Sequence, residues 1–322
     1  MTRALLSVAV ALVSVACAGD APSVSRDPRV AGRSWERLAP LPTPRTEITT
    51  AAVGDRIYAI GGFDAAGDTA ATVEVYDAEE DTWTPGPDLP LAVNHPMSAV
   101  AHGTLYVLGG YLGPLSDPTD RAFFLRDGRW VELPPMPEPR AAAGAAAVGG
   151  RVYVVGGVGP TGLADTTLVL DTTTGRWRSL PGLLVPREHL GVAAFGGQIY
   201  AMGGRTGGIG TNLGETETFD PATGNWRPLS PMPTPRGGLA AAATSNGLIV
   251  APGGEADATF AEAEAFDART ERWVILPPMP TARHGLGVAA VGTTAHTIGG
   301  GPTPGLSVSG AHEAFDLMSP RP

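Results

Sequence analysis

Tryptophan occurs six times in this 322-residue chain, at Trp35, Trp83, Trp130, Trp177, Trp226 and Trp273, with intervals of 47–49 residues. Gly-Gly pairs recur beside them at Gly61, Gly109, Gly156, Gly203, Gly253 and Gly299, with intervals of 46–50. Two independent markers sharing one period mean six copies of one structural unit. Inside each unit the apolar residues alternate with period two, as in Ala261-Glu-Ala-Glu-Ala-Phe266. Runs of four to eight such residues bounded by Gly and Pro are strands. No stretch after the first eighteen residues carries helical periodicity.

Four short antiparallel strands in about 47 residues make one blade of a β-propeller. A single blade cannot bury both of its faces, whereas a ring of blades buries each face against a neighbour. The Gly pair supplies close backbone approach or positive φ, and the Trp supplies apolar area between sheets. The fold class is therefore all-β, a six-bladed propeller. The sixth Gly pair is followed by Glu313-Ala-Phe-Asp316 with no Trp after it, while Ser34-Trp35-Glu-Arg-Leu38 stands unclaimed at the other end. Trp35 to Asp316 spans 282 residues, six units of 47, so an N-terminal strand is expected to complete the last blade. The expected organisation is a leader over 1–18, a polar tether over 19–33 and a propeller over 34–318. Its blades fall at about 43–85, 93–132, 138–179, 185–228, 234–275 and 281–316, the last completed by 34–39.

The leader reads Met1-Thr2-Arg3 and then an apolar run from Ala4 to Ala16, the pattern of a secretory signal. It is too short to span a bilayer stably. Val13-Ser14-Val15-Ala16-Cys17 resembles a bacterial lipobox, although Ser14 stands where Leu is usual; Ala16-Cys17-Ala18 also suits ordinary signal peptidase. Cys17 is the sole cysteine, so no internal disulfide exists. The expectation is export to the cell envelope, periplasmic or on the outer surface, with lipid on Cys17 as the membrane anchor, or otherwise secretion. A net charge of −10 with no lysine and no basic cluster excludes a nucleic-acid partner.

The order Gly-Gly, Tyr/Phe-Asp, Trp six residues on, then Pro-Arg before the next unit resembles the kelch repeat, over nearly all of the chain beyond the leader. Asp77/Trp83, Asp171/Trp177, Asp220/Trp226 and Asp267/Trp273 keep that interval. Unit two departs from it: Ala122-Phe-Phe-Leu-Arg-Asp-Gly-Arg-Trp130 lacks the Tyr-Asp pair, and Asp127-Gly128 suggests a two-residue hairpin turn.

A residue repeated in most blades is scaffold; a polar residue found at an equivalent place in one or two blades is a site candidate. Arg45, Arg140, Arg187, Arg236 and Arg283, and Glu74, Glu217, Glu264 and Glu313, read as scaffold that pairs within or between blades. The resemblance implies that the loop after each Gly pair and the start of each inner strand border one channel mouth. The non-repeated residues there are Glu47, Phe63, His95, Tyr111, His189, Arg205 and Glu255. Two aromatics, two His, two acids and an Arg suit a protein or glycan ligand, taken by a monomer. No Walker loop, Gly-x-Ser-x-Gly elbow, His-Glu-x-x-His or Cys pair is present, so no cofactor, metal or catalytic residue is assigned. Gly157-Val-Gly-Pro-Thr-Gly162 has dinucleotide spacing but leads into a strand, where the motif needs a helix. The leading reading is a binding scaffold at the cell envelope. The alternative is a sugar-modifying enzyme resembling the periplasmic kelch propellers that epimerise or mutarotate sialic acid, which needs an acid/base pair at the mouth.

Overall fold

A computed structural model describes residues 27–318. Cys17 and the leader lie outside the described residues. The chain forms six four-stranded antiparallel sheets arranged as a propeller. In blade I, Thr49–Val53, Arg56–Ile60, Val73–Asp77 and Thr82–Pro85 follow in order from the axis outwards. Blades II to V repeat this order. Blade VI takes Gly287–Val291, Thr294–Ile298 and His312–Asp316 from one end of the chain and Glu36–Arg37 from the other. Glu36 pairs with Ala314 and Arg37 with Glu313, antiparallel. The ring is closed by sheet hydrogen bonds, as the count of units requires.

The core is a set of layers between neighbouring blades. Met97, Tyr106 and Leu108 of blade II, for example, pack on Val152, Val154 and Leu168 of blade III. Near the axis six sheets converge, and the inner strands are Ala- and Gly-rich. A Cβ on Gly287 would stand 2.2 Å from Thr50 Cγ2 of blade I. The Gly pairs are equally constrained: Gly61 and Gly62 have φ of 64° and 93°, and a Cβ on Gly62 would meet the Thr46 carbonyl oxygen at 2.4 Å.

Each Trp does more than fill space. All six indole Nε1–H groups donate to a backbone carbonyl at the outer rim of the adjacent blade, at 2.7–3.2 Å: Trp83 to Ala39, Trp130 to Pro87, Trp177 to Pro134, Trp226 to Pro181, Trp273 to Ser230 and Trp35 to Pro277. The Pro-rich stretches are the acceptors, which explains why the two features share a period.

The recurring Arg side chains are fully buried. Arg45, Arg187, Arg236 and Arg283 pair with Glu74, Glu217, Glu264 and Glu313 of their own blade at 2.5–3.0 Å. Arg45 also donates to the Gly61 and Thr72 carbonyls at 2.7 and 2.8 Å, so the guanidinium fastens the backbone around the Gly pair. In blade III the Glu position holds Leu168, and Glu138 pairs with Arg140 instead. Blade II drops both partners together: Val93 replaces the Arg and Phe123 the Glu. A buried charge without its partner is more costly than an apolar pair of similar volume.

Asp127 and Gly128, with φ of 50° and 71°, form the two-residue turn between Ala122–Arg126 and Arg129–Glu132. The helix required by a dinucleotide motif after Gly162 is replaced by the strand Thr166–Asp171. The one helical feature among the described residues is a 3-10 turn over Ile209–Thr211. Residues 27–33, expected as the end of the tether, lie against the propeller instead. Val30 is buried, Arg29 pairs with Asp267 at 2.7 Å and Arg33 with Asp316 at 2.9 Å.

Candidate functional site

The residue two places after each recurring Arg lies where the chain enters an inner strand. In all six blades it adopts a left-handed backbone: Glu47, His95, Ala142, His189, Gly238 and Gly285 have φ of 51–72°. Their peptide groups are linked head to tail. Glu47 N–H donates to the Gly285 carbonyl, His95 to Glu47, Ala142 to His95, His189 to Ala142, Gly238 to His189 and Gly285 to Gly238, at 2.7–3.3 Å. A closed circle of six backbone hydrogen bonds thus surrounds the axis at one mouth. The geometry suits Gly, and blades V and VI use it. Glu47, His95, Ala142 and His189 hold it at a cost of about 1–2 kcal/mol each.

The residue before each of these bridges the first residue after a Gly pair: Thr46 to Phe63, Asn94 to Tyr111, Ala141 to Val158, Glu188 to Arg205, Gly237 to Glu255 and His284 to Gly301. The two rows of candidates are thereby brought together, and all seven form one connected group. His95 Nε2 lies 3.0 Å from Glu47 Oε2. The His95 ring meets Phe63, Tyr111 and His189 edge-on at centroid distances of 6.1, 5.5 and 4.9 Å. Arg205 NH1 donates to Glu255 Oε1 at 2.9 Å.

Three further residues complete the group. Glu188 accepts from Arg205 Nε at 3.0 Å and lies 3.3 Å from His189 Nδ1. His284 Nε2 stands 3.6 Å from Glu47 Oε1 and 3.5 Å from Glu255 Oε2. Asn94 Oδ1 is 2.7 Å from His95 Nδ1. Glu188, His284 and Asn94 each stand one position before the left-handed residue, and the rule of non-repeated polar residues applied there would have found them. The result is a circuit of seven ionisable side chains running Glu47, His95, His189, Glu188, Arg205, Glu255, His284 and back to Glu47.

This circuit is largely withdrawn from water; the His284 side chain is 1% exposed and those of Glu47 and Glu188 are 13%. Burial pushes the Glu47 carboxyl up, but His95, His189 and His284 outweigh it and hold the group well below the carboxylate range. Burial holds the His189 imidazole below its usual value. Burial, then Glu188, pushes the Tyr111 phenol up to about 12. Burial works to lower Arg205, yet Glu255 and Glu188 raise it above the ordinary guanidinium. Below the circuit a cavity of about 110 Å³ runs between inner strands, lined by Glu47, His95, His189 and the residues that follow them. Donor atoms of Glu47, His95 and His189 all lie within 4.8 Å of one another.

The profile of the KLHDC2/KLHL20/DRC7 kelch-repeats domain matches residues 94–300, and the kelch motif profile matches residues 44–90. The chain belongs to the kelch-repeat family. This kelch protein is 31% identical to beta-scruin of Limulus polyphemus over 119 residues, which are 34% of this chain and 13% of scruin. It is 36% identical to human Kelch-like protein 34 over 88 residues, 27% of this chain and 13% of the relative. Kelch-like protein terF of Aspergillus terreus is 30% identical over 124 residues, 34% of this chain and 27% of the relative. The aligned stretches thus cover no more than about a quarter of these relatives.

Proposed function

We propose that this kelch propeller is a protein-binding module that works outside the cytoplasm, anchored through a lipid on Cys17. Kelch propellers are generally interaction scaffolds; the export and anchoring parts of the reading rest on the leader sequence alone. The observation that carries the binding reading is apolar exposure on the loops of the mouth face. Leu306 of blade VI is 63% exposed, and Leu115 and Leu112 of blade II are 59% and 39% exposed. Leu306 also reaches Gly67 of blade I, whose Cβ would meet it at 2.9 Å. Exposed apolar residues rimmed by polar ones mark protein contacts.

One feature weighs against a glycan or a sugar-modifying reaction. Phe63 and Tyr111 are 6% and 5% exposed and face His95, so neither offers a flat face on which a sugar could stack. The shifted carboxyl of Glu47 is what the enzyme reading asks for. However, it lies against His95 and His284, and Arg205 is paired with Glu188 and Glu255.

The test is photo-crosslinking in the producing cell, with the wild type compared with a Leu115→Asp/Leu306→Asp variant. One discrete envelope protein should be captured by the wild type and lost in the variant. Saturable glycan binding or faster sialic acid mutarotation by the wild type would overturn the reading. Labelled palmitate should enter the wild type and not Cys17→Ser.

A further inference from the structure

The hydrogen atoms at the mouth can be placed by following acceptors that have no hydrogen to give. Asn94 is fully buried, and its Nδ2 lies 3.0 and 3.4 Å from the carbonyl oxygens of Gly113 and Tyr111. Carbonyls only accept, so that end of the amide is the donor and Oδ1 is an acceptor. His95 Nδ1, at 2.7 Å from Oδ1, must therefore carry a hydrogen. His284 Nδ1 is bound in the same way, 3.1 Å from the Gly301 carbonyl. In the neutral form of each ring the remaining nitrogen, Nε2, then bears a lone pair. Both lone pairs are aimed at the Glu47 carboxylate, at 3.0 Å from Oε2 and 3.6 Å from Oε1. Electron pairs facing a carboxylate at such distances require a cation between or upon them.

Charge points the same way. Glu47, Glu188 and Glu255 bring three negative charges to the circuit and Arg205 one positive, leaving a deficit of two. Burial of uncompensated charge is expensive. Two protons, on His95 and His284, would balance it but would leave two imidazolium rings flanking one carboxylate beside a third histidine. One divalent ion on Glu47, His95 and His189 balances it and leaves His284 Nε2 beside the Glu47 and Glu255 carboxylate oxygens at 3.6 and 3.5 Å. His189 supplies a further donor: its side chain is 8% exposed, its Nδ1 lies 3.3 Å from Glu188 Oε2, and a ring nitrogen lies within 4.8 Å of donor atoms of Glu47 and His95. Glu47, His95 and His189 also keep a strained backbone in positions where Gly serves the fold equally well, the pattern expected where side chains are retained for a purpose.

We propose that the mouth of this propeller is a binding site for one divalent first-row metal ion of the zinc class, held by Glu47, His95 and His189. His284 lies against the second carboxylate oxygen, and Asn94 is the positioning residue that fixes the His95 tautomer. Two imidazoles and one carboxylate are a borderline-soft donor set suited to Zn²⁺ and its neighbours, not to Ca²⁺ or Mg²⁺. The donors, within 4.8 Å of one another, must contract to the roughly 3.3 Å separation that tetrahedral Zn²⁺ imposes. The cavity beneath leaves one coordination position open to water or a small anion. Each ligand comes from a different blade, so no local spacing motif announces the site.

The test is a titration of the full chain, stripped with a chelator, using Zn²⁺ followed by calorimetry and Co²⁺ followed by its visible absorption. One metal per chain is expected. Glu47→Gln and His189→Gln should each weaken binding at least about 100-fold, and Asn94→Leu about 10- to 100-fold, as for a residue that orients a ligand. His189→Cys keeps a donor and should add a sulfur-to-cobalt charge-transfer band, a signal that a misfolded variant would not give. Cys17→Ser should bind as the wild type does. Absence of stoichiometric binding overturns the proposal. So does binding that survives both Glu47→Gln and His189→Gln, or that disappears with Cys17→Ser.

Discussion

Replacement of Trp35 by Ala tests the ring closure at its most concentrated point. Trp35 is 9% exposed, packs in the layer between blades V and VI and contacts Phe315 at 5.3 Å between ring centroids. It also donates to the Pro277 carbonyl at 2.8 Å. An indole burying about 200 Å² at about 25 cal/mol/Å² contributes about 5 kcal/mol, and measured Trp-to-Ala losses run at about 3–5 kcal/mol. Unfolding entropy of about 2.1 cal/mol/K per residue converts this, for a ring of this size, into a fall in Tm of roughly 5–8 °C. Closure makes a sharper claim as well. Trp35 and Phe315 stand at opposite ends of the chain, yet they should be energetically coupled. A thermodynamic cycle over Trp35→Ala, Phe315→Ala and the double variant, followed by urea unfolding, should give about 0.5–1.5 kcal/mol of non-additivity. Trp177→Ala in blade III, whose indole is half-exposed, should cost less. A Trp35→Ala protein melting within 2 °C of the parent, or strict additivity with Phe315→Ala, would refute closure as the source of stability.

Two further outcomes are expected. Arg45→Val alone leaves Glu74 buried and unpaired and should cost about 3–5 kcal/mol. Arg45→Val/Glu74→Phe, which copies the solution of blade II, should recover part of that loss in urea midpoints, and a double variant worse than the single one would refute the compensation argument. At the seam, the His312 Nδ1–H donates to the Ala39 carbonyl at 3.1 Å, and His312 Nε2 shares one hydrogen with His296 Nδ1 at 3.0 Å. Burial lowers His296 to about 4, and burial, then the neighbouring His296, lowers His312 to about 3. The unfolded chain therefore binds protons that the fold refuses, and stability should fall by several kcal/mol as pH drops from 6.5 towards 4. Carboxylates with lowered pKa, such as Glu47, act in the same sense but only below about 4.5. Urea midpoints between pH 6.5 and 5 should flatten in His296→Leu/His312→Phe; an unchanged slope would remove these histidines as the cause.

The parts legible in the sequence are those that every blade must solve alike. Trp35 and the Gly pairs announced the period, the closure followed from counting, and the recurring Arg and Glu announced their pairs. Contacts peculiar to one blade were less accessible. Glu138 replaces the strand glutamate of blade III from a different position, which no repeat rule anticipates. The left-handed circle left a trace in Gly238 and Gly285, but Glu47, His95 and His189 at the same position concealed it. The connection of Glu188 and His284 to the candidates depends on a ring geometry that carries them across neighbouring blades.

The join between the two chain ends is held by two residue pairs, the Trp35 indole, the Arg33–Asp316 ion pair and the hydrogen bond between His312 and Ala39. When it releases, the outer edge of His312–Asp316 becomes a vacant place shaped for one particular strand, and any second copy carries that strand. Released molecules can therefore fill one another, each lending its first strand to the next. Protonation of the paired imidazoles beside the join favours that release, so mild acid is the condition under which single rings would be traded for strand-exchanged assemblies.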